Sequence, residues 1–124
     1  MSWFIFGLTL ISVTISAVAQ IVLKHGMSSP STQSALADGG LAAALGIASN
    51  PFIWLGFGLY GFGAVLWLGV LAKIDVSQAY PFVGIGFLLT MAFGVLILGE
   101  SFNLTRLAGT LLVVSGVILV ARPG

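Results

Sequence analysis

The sequence predicts an all-α, polytopic membrane protein, with four transmembrane helices packed in a small bundle and all of residues 1–124 in a single domain. Three observations carry that prediction. The chain is 59% hydrophobic and only 6% charged, against ~25% charged residues in soluble domains. Its ionisable side chains, Lys24, His25, Asp38, Lys73, Asp75, Glu100, Arg106 and Arg122, divide it into uncharged stretches at 1–23, 39–72, 76–99 and 107–121. Three of these stretches exceed the roughly 20 residues a helix needs to cross a bilayer. The fourth is shorter, but Arg106 and Arg122 flank it and long basic side chains can snorkel to the headgroups. Finally, the polar residues inside the stretches recur at helical rather than alternating spacing, so no strand is expected.

The first helix is predicted over about 3–24, with Trp3 suited to the interfacial aromatic belt. Ala17, Val18 and Ala19 resemble a signal-peptide cleavage site, but no Lys or Arg precedes the apolar run, so the span is expected to be retained. Residues 25–50 then form the one long polar connection, rich in Ser, Pro and Gly, with a short interfacial helix over 41–48. Asn50 and Pro51 supply a cap and a first-turn proline for the second helix, 51–72. The "KID" turn that follows admits only an adjacent antiparallel helix, predicted over 77–98. "GESFNLT" turns the chain again into a fourth helix, 106–121, capped by Asn103 or Thr105. Both ends of the chain then lie on one side of the membrane. Lys73 and Arg122 fall on that side and Lys24 and Arg106 on the other, so the charge bias that orients membrane proteins is balanced. Either the chain inserts both ways and pairs as an antiparallel dimer, or a partner, the amino terminus or the long loop sets its orientation.

Within the first helix, Ser12, Ser16, Gln20 and Lys24 recur four residues apart and share one face, a polar stripe ending in an amine. A membrane-embedded amide needs a partner from a neighbouring helix, water or a substrate. Two readings follow: helix-to-helix bonding, or a hydrophilic path for a polar group. In the second helix, Gly56, Tyr60, Gly63 and Trp67 share a face of alternating small and aromatic residues, which serves either packing or a cavity wall. "GFGLYG" has dinucleotide-motif spacing but lacks the preceding strand and solvated helix start that this chemistry needs. In the third helix Pro81 removes a backbone donor, so a bend is expected there: either a static kink, or a hinge with Gly84 and Gly86 in which Tyr80 presents its hydroxyl to a cavity. Gly109 and Gly116, seven residues apart in the fourth helix, suit a helix contact inside one chain or between two.

Several chemistries are excluded. With no cysteine there are neither disulfides nor thiolate chemistry, and one histidine beside three scattered acids makes no metal site. No cofactor is expected, and no nucleophile–base pair suggests an enzyme. A net charge of +1 without a basic cluster argues against a nucleic-acid partner. No Asp or Glu falls in the middle of a span, where cation-coupled transporters place their exchangeable carboxylate.

"AQIVLK", "AVLWLGVLAKIDVSQAYPF", "LGES" and "GTLLVVSGV" resemble the drug/metabolite transporter superfamily. More narrowly, the chain resembles its four-helix, EamA-like proteins: the small multidrug resistance transporters and the two subunits of the aminoarabinose-phosphoundecaprenol flippase. The likeness covers nearly the whole chain outside 25–50, and Ala79, Tyr80 and Pro81 are its most specific part. Ser16 stands about where the multidrug transporters carry a coupling glutamate, and Val83 where they carry a tryptophan. Gln20 and the Tyr80–Pro81 pair match the flippase branch. That resemblance implies a multi-pass protein of the bacterial inner membrane that moves a lipid-linked sugar or similar polar headgroup and works as a homo- or heterodimer with a similar chain. Ser12, Ser16, Gln20, Lys24, Tyr60, Trp67 and Tyr80 would line the path. The alternatives are efflux of hydrophobic or cationic compounds, and a non-transporting accessory subunit.

Overall fold

The computed structural model describes residues 2–121, without the side chains of Val117, Val120 and Ala121; Arg122, counted above among the flanking bases, lies outside the described residues. All regular structure among the described residues is helical: α1 (Trp3–Met27), α2 (Pro30–Asp38), α3 (Gly40–Ala48), α4 (Pro51–Leu71), α5 (Val76–Ala79), α6 (Pro81–Leu96) and α7 (Leu104–Ala121). Three segments, Trp3–Met27, Pro51–Leu71 and Val76–Leu96, are long and apolar enough to cross a membrane. In α7 the stretch Leu104–Gly116 is apolar but shorter.

Local chemistry sets the boundaries. Ser2 caps α1 by accepting the Ile5 N–H at 3.2 Å, and Ser28 ends it, its hydroxyl donating to the Lys24 carbonyl at 2.7 Å. The 25–50 segment, read from composition as a polar connection with one short helix, holds a second: Pro30 in the first turn starts α2. Gly39 and Gly40, at φ 69° and 58°, reverse the chain into α3 at angles that side chains rarely adopt. Gly46 then packs so closely on Ala35 that a methyl group there would collide with it. Asn50 ties this hairpin to the bundle. Its amide donates to the Gly26 carbonyl at 2.7 Å and to Thr32 Oγ1 at 2.9 Å, while its Oδ1 accepts the Phe52 N–H at 3.0 Å.

The third predicted helix, 77–98, corresponds to the segment Val76–Leu96, whose hydrogen-bond ladder is interrupted at Pro81 while Tyr80 keeps helical angles. Tyr80 N–H still bonds to Val76 at 2.8 Å, but the next bonds restart from the Tyr80 carbonyl, reached by Val83 N–H at 2.9 Å. Pro81 has no N–H to continue the ladder, so α5 and α6 meet at Tyr80 as two pieces. Beyond α6, Gly99 at φ 70° folds the chain back, and Glu100 N–H bonds to the Gly94 carbonyl at 3.1 Å.

Packing centres on α1, which lies between α4 and α6; α7 packs against α6. The α1–α4 seam is close because glycines line it. A methyl group on Gly56 would fall 2.6 Å from Leu23 side-chain carbons, and one on Gly63 would fall 3.0 Å from Ser16 Oγ. At the end of the bundle holding the start of α1, Ile5, Val70 and Ala79 are buried against Leu8, Trp67, Leu71 and Ile74. Phe6 stacks edge-on between Trp3 and Phe82, joining α1 to α6. Large apolar side chains cover the outside of every long helix, a surface suited to lipid contact.

Candidate functional site

A cavity of about 1070 Å³ lies beside the α1–α4 seam. From α1 it is lined by Ser12, Val13, Ser16, Ala17 and Gln20; from α4 by Tyr60, Ala64 and Trp67; and from α6 by Val83, Gly86, Phe87, Thr90, Met91 and Val95. Glu100, Ser101, Phe102 and Asn103 of the α6–α7 turn line it too, with Arg106, Gly109, Thr110 and Val113 of α7. The α1 wall from Ser12 to Gln20 rises roughly 12 Å at about 1.5 Å per residue, under half a bilayer core. Trp67 closes its deep end, since it also packs on the Ile5, Val70 and Ala79 cluster. The other end reaches the charged turn of Glu100 and Arg106. Its lining thus runs from Trp67, beside the apolar cluster, to the exposed turn of Glu100 and Arg106.

The α4 face of glycines and aromatics divides in two. Gly56 and Gly63 meet α1, while Tyr60 and Trp67 line the cavity. Residues 56, 60, 63 and 67 span an arc of roughly 60° at about 100° per residue, so a helix beside the seam can serve both. The polar stripe of α1 divides along its length. Ser12 is buried and its hydroxyl donates to the Gly63 carbonyl at 2.7 Å. Ser16 is half-buried and Gln20 exposed to the cavity.

Lys24 and Tyr80, expected on the path, are not among the cavity-lining residues. Lys24 is exposed at the end of α1, and Tyr80 is 54% exposed at the α5–α6 break. Pro81 forms that break. Gly84 fits closely against Val114 of α7, at 3.2 Å from an added methyl, and Gly86 against Val13 of α1, also at 3.2 Å. Nothing lies within 4 Å of a methyl placed on Gly109 or Gly116, so no helix of the described chain takes up the contact proposed for that face. Sequence reasoning missed Thr90, Thr110, Glu100 and Arg106. The two charged residues had been assigned to helix ends, and only the reversal at Gly99 brings Glu100 back over the cavity.

These features define a class: a multi-pass helical membrane protein with a large, mostly apolar cavity that carries a few polar side chains. No protein-family profile matches the chain, and no solved structure does. Curated relatives do match. A probable 4-amino-4-deoxy-L-arabinose-phosphoundecaprenol flippase subunit ArnE of Pseudomonas aeruginosa (strain UCBPP-PA14) is 34% identical over 73 residues, 59% of this chain and 64% of the relative. The namesake protein of Pseudomonas savastanoi pv. phaseolicola is 32% identical over 83 residues, 67% of this chain and 70% of the relative. Protein y4nH of Sinorhizobium fredii, whose name assigns no function, is 33% identical over 110 residues, 88% of this chain and 87% of the relative. The chain belongs to the ArnE-like family of flippase subunits, of the drug/metabolite transporter type. Its match spans 64% of the length of the Pseudomonas aeruginosa relative.

Proposed function

We propose that the chain is one subunit of a flippase of the bacterial inner membrane, moving an amphipathic, lipid-linked sugar of the undecaprenyl-phosphate type between leaflets. The observation that carries this reading is the cavity, which sets a polar wall of Ser16, Gln20, Thr90 and Thr110 beside aromatic rings and ends at Arg106. A headgroup bearing a phosphate needs a cation and neutral hydrogen-bonding groups to replace its water, whereas the tail needs only an apolar surface. Lys24, exposed at the end of α1, draws the anionic headgroup to the membrane surface, as basic residues do beside lipid. Arg106 then receives the phosphate, since a guanidinium can bind two phosphate oxygens at once. Gln20 and Ser16 bond the sugar, and Tyr60 and Trp67 flank it.

In this reading α7 is the fourth span, and its open face at Gly116 meets a second, similar four-helix chain, because glycine faces let membrane helices approach closely, while Gly109 lines the cavity. The interruption at Tyr80 and Pro81, with Gly84 and Gly86 beyond it, is the hinge by which the Trp67 end opens while the Arg106 end closes. Tyr80 acts there rather than on the substrate.

The test is leaflet exchange of a radiolabelled undecaprenyl-phosphate sugar in proteoliposomes. Native protein is expected to speed exchange, and Gln20→Ala to slow it by about tenfold, the scale of one lost hydrogen bond to a charged or polar headgroup. Exchange unaltered by Gln20→Ala would remove the cavity from the path.

A further inference from the structure

The α2–α3 hairpin lines no part of the cavity, and its two helices expose opposite chemistry. Along α3, Leu41, Ala44, Leu45 and Ala48 are all exposed and recur at the spacing of one helical face. Leu41 is 74% and Leu45 60% exposed, and no residue of α3 is buried. Gly46, off that face, packs on Ala35 of α2. Along α2 the residues Ser31, Ser34 and Asp38 are exposed at the same helical spacing, while Thr32 is buried and bonded to Asn50. One helix of the pair therefore presents an apolar face outward and the other a polar one.

The position of the hairpin says what covers the apolar face. Only Ser49 and Asn50 separate α3 from Pro51, the first residue of a helix long and apolar enough to cross the membrane, so the hairpin stands where that span enters the bilayer. The Trp54 indole N–H donates to the Ala48 carbonyl at 2.7 Å. This bond ties the end of the α3 face to Trp54, itself 67% exposed, and tryptophan at the end of a span sits at headgroup level. Leu55 and Phe57, also exposed, carry the apolar surface on along α4. We propose that the hairpin is a membrane-surface unit: α3 lies in the interfacial layer of the bilayer with Leu41 and Leu45 toward the acyl chains, and α2 lies over it in water. Nine residues make α3 about 13 Å long, well short of the roughly 30 Å hydrocarbon core, so it lies on the membrane rather than across it. Asp38 is the only ionisable side chain between Ser28 and Asn50. The hairpin is therefore held by apolar burial, without the basic face by which other surface helices select anionic lipid. Asn50 bonds both Gly26 of α1 and Thr32 of α2, and so couples the depth of the hairpin to that of the bundle.

The chain has no cysteine, so a single nitroxide label can be attached through one introduced thiol. Full-length Leu45→Cys and Ser34→Cys, both changes at exposed positions, are labelled and reconstituted in liposomes of phosphatidylcholine, with and without phosphatidylglycerol. Collision of the label with oxygen, which concentrates in lipid, and with a water-soluble nickel chelate gives its depth by electron paramagnetic resonance. The expectation is that the label at position 45 lies roughly 5–10 Å below the headgroups in both lipid mixtures, and that the label at position 34 is in water. The proposal is overturned if both labels report the same medium. It is equally overturned if the label at position 45 is shielded from both reagents, the result that a covering protein or a second copy of the chain would give. Depth found only with phosphatidylglycerol would assign the attachment to Lys24 and His25 at the end of α1 and overturn the role of the leucine face.

Discussion

Gly56→Ala tests the close α1–α4 seam on which the cavity wall depends. The added methyl would sit 2.6 Å from Leu23 Cγ and Cδ2 and 3.2 Å from the Leu23 backbone nitrogen. Rotating the leucine relieves the first two contacts at the cost of an unfavourable rotamer, about 0.5–1.5 kcal/mol. The third contact is backbone, and only separation of the helices relieves it. Overpacking of this kind costs about 1–3 kcal/mol. Set against it is the gain of alanine over glycine in a helix, about 1 kcal/mol. Gly109→Ala isolates that gain, since nothing lies within 4 Å of its added methyl. The difference between the two variants removes the helix-propensity contribution and leaves the overpacking. Thermal or denaturant unfolding in detergent, followed by circular dichroism, should therefore place Gly56→Ala about 1–3 kcal/mol below Gly109→Ala. Adding Leu23→Ala to Gly56→Ala should recover part of the loss. Two glycine variants of equal stability would refute the close approach of α1 and α4.

Ser12→Ala removes the bond to the Gly63 carbonyl and should cost about 0.6 kcal/mol and no more than about 1.7, the range for hydrogen bonds between membrane helices. The same unfolding assay measures it. Asn50→Ala should cost more, about 1–3 kcal/mol, because it leaves the buried Gly26 carbonyl without the amide that bonds it and uncaps α4. Hydrogen exchange should rise across 26–53 in that variant and stay unchanged in α6.

The span boundaries were legible because lipid leaves little choice. With charges excluded from the hydrocarbon, the ionisable residues fall near helix ends, Lys24 and His25 in the last turn of α1 and Lys73 and Asp75 between α4 and α5, while Asn50 and Pro51 mark the start of α4. The predicted 3–24 and 51–72 compare with Trp3–Met27 and Pro51–Leu71. Residues 30–38 were not legible as helix, since Ser, Thr and Gln recommend a loop. There the helix is started by Pro30 and anchored by the bond from Asn50 to Thr32, a partner 18 residues away that local pattern cannot show. The predicted third helix, 77–98, compares with Val76–Leu96, in which Tyr80 keeps helical angles and only the hydrogen-bond ladder is interrupted at Pro81. Glu100 and Arg106 are exposed at helix ends, as their positions in the sequence suggest; that they also line the cavity follows from the chain reversal between α6 and α7, which local pattern does not show.

The stripe of Ser12, Ser16, Gln20 and Lys24 posed a choice between helix bonding and a polar path, and the structure divides it by depth. Lipid and protein interior offer no water, so a polar group there must be satisfied inside the chain. Ser12, at the Trp67 end of the cavity, is bonded to α4 and has no donor left for a ligand. Gln20 is exposed to the cavity, and in the proposed path its amide meets the headgroup. Lys24 has passed beyond the cavity to the surface. The same spacing thus gives a structural bond, a polar wall and a surface charge in turn. It follows that substitutions at positions 12 and 20 should separate: the first should act chiefly on stability and the second chiefly on exchange.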